Sequence, residues 1–139
     1  MSTYYSIERA LQNSIADVTI LYLSNNQLKT VPEELANLKA LTYLNLSGNQ
    51  LKVVPKELCN LKALTYLDLS DNKLKVVPKE LCNLKALTEL DLGYNQLKVV
   101  PDELGNLTNL VMFYLEQNQL NHGEQEKVRE LLPNCEIYF

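Results

Sequence analysis

From Val18 onward the apolar positions return in one fixed order. The frame is Leu-x-x-Leu-x-Leu-x-x-Asn-x-Leu-x-x-Val-Pro-x-x-Leu-x-x-Leu-x-x, and it repeats every 23 residues. Units occupy residues 18–40, 41–63, 64–86 and 87–109, and a fifth opens at Leu110 and runs true to Leu120. The second and third units differ at only three of 23 positions: Asn45/Asp68, Gly48/Asp71 and Gln50/Lys73. Self-similarity at this period marks a repeat architecture, in which each unit buries its apolar side against its neighbours. Within a unit, the Leu-x-Leu alternation predicts a short strand with one face buried. The asparagine that follows (Asn26, Asn49, Asn72, Asn95, Asn118) falls where the chain leaves the strand. Its amide both donates and accepts, so it suits a ladder that satisfies turn backbones between units. The Val-Pro step holds the next segment out of the sheet, because proline has no N–H. The leucines after it, such as Leu58 and Leu61, recur at i and i+3 and predict a helical turn on the far side.

The ends leave this frame. Residues 1–17 carry Ile7, Ala10, Leu11 and Ile15 at helical spacing, and predict a helix over Ser6 to Asn13 that caps the open end of the stack. Residues 122–139 read as the second cap. Glu124 and Glu126 favour a helix start, Val128, Leu131 and Leu132 share a face, and Pro133 stops the helix. Cys135, Ile137 and Phe139 then alternate with Glu136 and Tyr138, which predicts a last edge strand. Domain organisation is thus one domain: a cap at 1–17, five repeats over 18–121, and a cap at 122–139.

Composition narrows the function classes. The chain has 139 residues, 46% apolar and 22% charged, with a net charge of −4. That charge argues against nucleic acid as the main partner, and no apolar run reaches membrane-spanning length. The first residues show no basic stretch followed by an apolar one, so the expected compartment is the cytoplasm by default, or outside the cell if Met1 stands in for a removed signal. Cys59, Cys82 and Cys135 are odd in number and have no metal-ligand spacing, so free thiols are expected.

With those residues in view, the chain resembles the leucine-rich-repeat family over about residues 18–121. The 23-residue length and the ending EKVRELLPNCEIYF look like those of small bacterial, notably leptospiral, members. The resemblance implies an α/β right-handed leucine-rich-repeat solenoid, with a parallel sheet on its concave face and short helical or 3-10 turns on its convex face. It also implies protein binding, no catalysis and no cofactor.

The frame assigns side chains to faces. The third, fifth, seventh and eighth positions of each unit are expected to line the concave face. They hold Tyr22, Tyr43, Tyr66, Tyr94, Tyr114 and Met112, five acids (Asp68, Asp71, Glu89, Asp91, Glu116), and no Lys or Arg. Tyrosine offers rigid area with a polar tip, and neighbouring acids of like charge favour a cationic group between them. The candidate partner-binding residues are therefore Tyr22, Tyr43, Tyr66, Asp68, Asp71, Glu89, Asp91, Tyr94, Met112 and Tyr114. Lysines gather elsewhere: Lys29, Lys52, Lys75 and Lys98 in one column, Lys39, Lys62 and Lys85 in another.

Other chemistry finds little support. His122 has only Glu124 and Glu126 nearby in sequence, too few for a metal site, and is expected to be a solvated cap residue. The Asp68, Asp71 and Asp91 cluster has carboxylates for Ca²⁺ but no wrapping loop. No phosphate loop or nucleophile motif is present, so no enzyme is expected. The expected function is a non-enzymatic protein-interaction module that takes a protein or peptide with basic groups on its acidic, tyrosine-rich concave face. The alternatives are a self-associating structural scaffold and a glycan or surface-ligand binder. The chain is expected to be monomeric, with Cys135 to Phe139 as the edge through which it would weakly self-associate.

Overall fold

The structure is a computed structural model that describes residues 2–12 and 15–139. Seven short parallel strands form one sheet in sequence order: β1 (Ser2–Tyr4), β2 (Val18–Tyr22), β3 (Tyr43–Asn45), β4 (Tyr66–Asp68), β5 (Glu89–Asp91), β6 (Met112–Tyr114) and β7 (Glu136–Tyr138). Five-residue 3-10 turns, Glu33–Asn37, Lys56–Asn60, Lys79–Asn83 and Asp102–Asn106, line the opposite side. Helix α1 (Ile7–Gln12) and helix α2 (His122–Leu131) sit at the two ends. This is a leucine-rich-repeat solenoid.

The 23-residue period sets the register. Leu21, Leu44, Leu67, Leu90 and Phe113 stand opposite one another along the sheet, and each is fully buried. Burying a leucine side chain contributes about 2 kcal/mol, so this one column organises much of the core. The Val-Pro steps work as the frame predicts. The proline carbonyl accepts from the leucine three residues on, Leu35 N–H to Pro32 O at 3.1 Å and Leu58 N–H to Pro55 O at 3.1 Å, which closes each 3-10 turn. Leu35, Leu58, Leu81 and Leu104 then point inward.

The asparagine ladder has four rungs rather than five. Asn72 accepts from Leu51 N–H at 3.0 Å and donates to Leu46 O and Leu69 O, each at 3.1 Å. Asn49, Asn95 and Asn118 repeat the arrangement. Each rung clasps the unit before it. Asn26 has no repeat unit before it; its side chain is exposed and, among the described residues, donates only to Ser24 O, at 3.3 Å.

The caps carry more than helices. At the N-terminus, β1 extends the sheet and α1 buries Ala10. Met1, Asn13 and Ser14 of the expected cap lie outside the described residues. At the C-terminus Asn121 caps α2 by accepting from Glu124 N–H at 2.9 Å, and α2 buries Val128. Glu124 accepts from Val100 N–H at 3.2 Å, and Lys127 donates to Val100 O at 2.8 Å, so both polar groups of that residue are met by the cap. Arg129 lies over the Phe139 ring at 4.7 Å. Strand β7 pairs with β6 and completes the sheet. The concave face is therefore seven strands wide, about 29 Å across six steps.

Candidate functional site

The third and fifth positions face outward from the sheet and form two side-by-side columns. The fifth column runs Tyr22, Asn45, Asp68, Asp91, Tyr114 in register, and β7 adds Tyr138. The third runs Ile20, Tyr43, Tyr66, Glu89, Met112, Glu136. Because the period is constant, chemically unlike side chains meet at strand spacing, about 4.8 Å.

The tyrosines divide into two groups. Tyr5, Tyr22, Tyr43 and Tyr66 form a continuous run, with ring centroids 5.3, 5.0 and 4.1 Å apart. Tyr43 and Tyr66 are parallel within 1°. Tyr114 stacks on Tyr138 at 4.9 Å, on the other side of the acids. Met112 lies beside it, with Tyr114 Oη 3.7 Å from its Sδ. Sequence reasoning missed Tyr5 and Tyr138. For Tyr138 the signal was present, as Glu136 and Tyr138 alternate with Cys135, Ile137 and Phe139 at strand period, but both tyrosines fall in segments read as caps. Glu136 joins the acidic third column by the same route.

Between the two stacks lie Asp68, Glu89, Asp91 and Glu116. Asp68 corrects an expectation: it is only 8% exposed, which is too little for a free contact residue. Its Oδ1 accepts from Ser70 N–H at 2.9 Å and from Ser70 Oγ at 2.6 Å, and Tyr66 Oη reaches Oδ2 at 3.5 Å. Asn45 closes the same turn on Ser47, and Asp91 on Gly93 N–H at 2.9 Å. Fifth-column side chains thus serve the backbone first, as short polar side chains do in such turns. Burial pushes the Asp91 carboxyl up from 3.8 to about 6, against the Gly93 N–H, with Asp68, Glu116 and Glu89 adding repulsion. Burial and then Asp68 raise the Tyr66 phenol as well. The ion pairs of the described residues, such as Lys56 with Glu80 and Lys127 with Asp102, lie away from these acids.

The eighth position has a constraint that its mixed residue types only hint at. Asn25, Gly48, Asp71, Tyr94 and Gln117 all have positive φ, between 51° and 65°. A Cβ at Gly48 would come within 2.1 Å of Asn25 Oδ1, so any larger residue there needs the Asn25 side chain to move aside. Asp71 is a residue type that tolerates this conformation. Tyr94 is not, and a bulky side chain at φ 53° carries a backbone cost of order 1 kcal/mol. Tyr94 is 60% exposed on the rim, and among the described residues its ring stacks on no other.

His122 is the first residue of α2 and is exposed. Among the described residues no group of three or more His, Cys, Asp or Glu is placed to hold a metal ion, and no helix is long and apolar enough to cross a membrane. Cys59 and Cys82 are buried free thiols, pushed up by burial to about 11 and about 12.

Comparison with known proteins fits this geometry. The leucine rich repeat family model matches residues 6–51, 16–74, 49–97 and 62–120 in overlapping windows. No curated protein matches the chain. Among solved structures, a leucine-rich-repeat protein of Leptospira interrogans is similar at 41% identity and a TM-score of 0.89, over 99% of this chain and 34% of that one. An internalin of Listeria monocytogenes is similar at 26% identity and a TM-score of 0.76, over 98% of this chain and 38% of that one. The chain therefore spans about a third of the length of the solved proteins it resembles. By its repeats, its solenoid and these likenesses, the chain belongs to the leucine-rich-repeat family and resembles its leptospiral members.

Proposed function

We propose that the concave sheet binds a protein or peptide partner that delivers a basic side chain between the two tyrosine stacks. The observation that carries this reading is Asp91. It is a half-buried carboxylate with Asp68, Glu89 and Glu116 around it and, among the described residues, no ion pair to it. Such an arrangement is repulsive in the free protein, and a bound ammonium or guanidinium relieves it. Tyr43 and Tyr66 on one side, and Tyr114 and Tyr138 on the other, supply rigid ring edges and hydroxyls beside that acidic centre. Tyr22 extends the platform, Met112 fills beside Tyr114, and Asp71 and Tyr94 act from the rim. Asp68 contributes charge through the site while its oxygens hold the turn.

The tyrosine geometry favours this reading over a sugar-binding one. A glycan stacks on the open face of a ring, whereas the faces of Tyr43 and Tyr66 are turned toward each other at 4.1 Å. Edges and hydroxyls are what remain for contact.

The test uses substitutions that keep the turns. Glu89→Gln, Asp91→Asn and Glu116→Gln together remove three charges with near-identical shapes. A labelled peptide rich in Lys and Tyr, followed by fluorescence anisotropy, is expected to bind the unaltered protein and to lose about ten-fold or more in affinity on the triple variant. Unchanged affinity would remove the concave acids from the recognition mechanism.

A further inference from the structure

A second surface lies on the flank where each unit leaves the asparagine turn for the Val-Pro step. Over the four full units, the tenth to fourteenth positions hold Lys29, Lys52, Lys73, Lys75 and Lys98 and no Asp or Glu. In a chain of net charge −4, that is a strong sorting of charge onto one side. All five lysines are exposed, and no ion pair or hydrogen bond among the described residues engages their ammonium groups. Between them stand Val53, Val76 and Val99, exposed at 70%, 63% and 53%. Their neighbours Val54, Val77 and Val100 fill the core, so the outer valines are not needed for packing.

The flank is grooved. A cleft of about 330 Å³ is lined by Lys75, Gln96, Lys98 and Gln119, and one of about 290 Å³ by Lys52, Lys73, Lys75 and Gln96. The polar groups that the lining side chains bring to both are ammonium and amide groups, set on aliphatic stems, which suits carboxylates. Beside them a third cleft, about 260 Å³ and mostly apolar, is lined by Val53, Val76, Pro55 and Pro78 together with Lys52, Lys56 and Lys75. Cationic clefts and an apolar cleft thus run side by side along consecutive units.

We propose that this lysine–valine flank is a docking surface for an extended acidic segment of a partner protein, in which apolar residues alternate with carboxylates. An extended chain sends alternate side chains to opposite sides. Laid along the flank, it would direct carboxylates to the Lys and Gln clefts and apolar groups to the Val and Pro cleft. Charge complementarity selects an acidic occupant, and the valine–proline cleft selects a peptide over a plain polyanion, which has nothing to bury there. An anionic bilayer fits less well, because these features are clefts and a bilayer is entered by protruding groups. This surface is separate from the concave one and does not depend on it.

The probe is a labelled synthetic peptide of about ten residues alternating Glu and Val, about 33 Å when extended and longer than the about 14 Å of three strand steps. Fluorescence anisotropy is expected to show binding that weakens as salt rises. Lys52→Gln, Lys75→Gln and Lys98→Gln together should weaken it about ten-fold, and Val53→Ser with Val76→Ser about three-fold. All five positions are on the surface, and circular dichroism would verify that both variants fold. Asp91→Asn should leave this binding unchanged. The proposal is overturned if the peptide does not bind, or if either set of substitutions is without effect. It is also overturned if a Glu-only peptide, an oligothymidylate or phosphatidylserine vesicles bind as tightly as the Glu-Val peptide.

Discussion

Replacing Asp91 by Asn should make the protein more stable at neutral pH while weakening its proposed binding. The carboxyl stands at about 6 in the folded chain, against 3.8 when unperturbed, with burial as the main cause. Between those values the folded protein holds a proton that the unfolded chain has released. Stability therefore falls as pH rises from about 4 to about 6, and the loss stays in full above that. At full effect the offset corresponds to about 3 kcal/mol, and because the side chain is only half-buried, solvent screening reduces it to about 1.5 kcal/mol. Asparagine has no such titration. It also keeps the turn, since Asn45 accepts from Ser47 N–H at 2.9 Å in the equivalent place and Asp91 accepts from Gly93 N–H at 2.9 Å.

Urea unfolding of the two proteins, at several pH values, measures this directly. A gain of about 1.5 kcal/mol at pH 7 should move the urea midpoint up by about 0.5–1 M, and the gain should shrink toward zero near pH 4. Comparing the pair cancels every other titrating group to first order. A variant less stable than its parent at pH 7 would refute the reasoning, and so would a gain of the same size at pH 4, which would trace it to packing.

Asn72→Ala should cost about 2–4 kcal/mol, because Leu51 N–H loses its one side-chain partner in the core and a cavity opens, whereas Asn26→Ala should cost under about 0.5 kcal/mol. Equal midpoints in urea would contradict the four-rung ladder. Tyr94→Gly should raise stability by about 0.5–1 kcal/mol by relieving the positive φ, while weakening capture of the basic peptide on the concave face; a loss of stability would show that the ring is held by packing. Iodoacetamide at pH 8 should leave Cys59 and Cys82 unmodified in the folded protein and alkylate both in urea, since burial and an elevated thiol both oppose reaction. Fast labelling of either in native buffer, read by mass spectrometry, would count against the buried assignment.

The period made most of this architecture legible. One frame of 23 residues fixes which leucines are stacked, because parallel strands joined by equal crossovers must pair like with like. What escaped it lies outside the frame or beneath the side-chain pattern. Strand β1 has only three residues, too few for alternation to stand out beside the helix it accompanies, and β7, present where the edge strand is expected, lies outside the five-unit frame. They nevertheless extend the sheet, and Tyr5 and Tyr138 join the tyrosine columns. Asn26 matches the motif but not the role, since a rung needs a unit before it. The eighth position reads as a variable contact column, while its common property is a backbone angle. Asn, Gly and Asp at three of its five places are the types that tolerate that angle, so the signal was available. Asp68 was placed on the right face, yet its burial follows from the Ser70 turn, which the frame does not encode.

The three differences between the second and third units gain meaning from these geometries. Asn45 and Asp68 close the same turn through the same kind of oxygen, so the exchange adds charge and leaves the backbone alone. Gly48 and Asp71 both occupy the left-handed position at φ 65° and 51°, so that exchange again adds charge at little conformational cost. Gln50 and Lys73 sit on the flank, where the change adds a cation beside Lys52 and Lys75. Each exchange is neutral for the fold and alters the field outside it, with acid added to the concave side and base to the flank. A stack under selection for packing alone has no reason to sort charge in this way, because exposed residues off the core change stability by only about 0.5 kcal/mol either way. Two partners of opposite charge, one for each surface, would supply that reason. The concave acids and the flank lysines should then fail independently when they are substituted, with Asp91→Asn affecting only the basic peptide and Lys75→Gln only the acidic one.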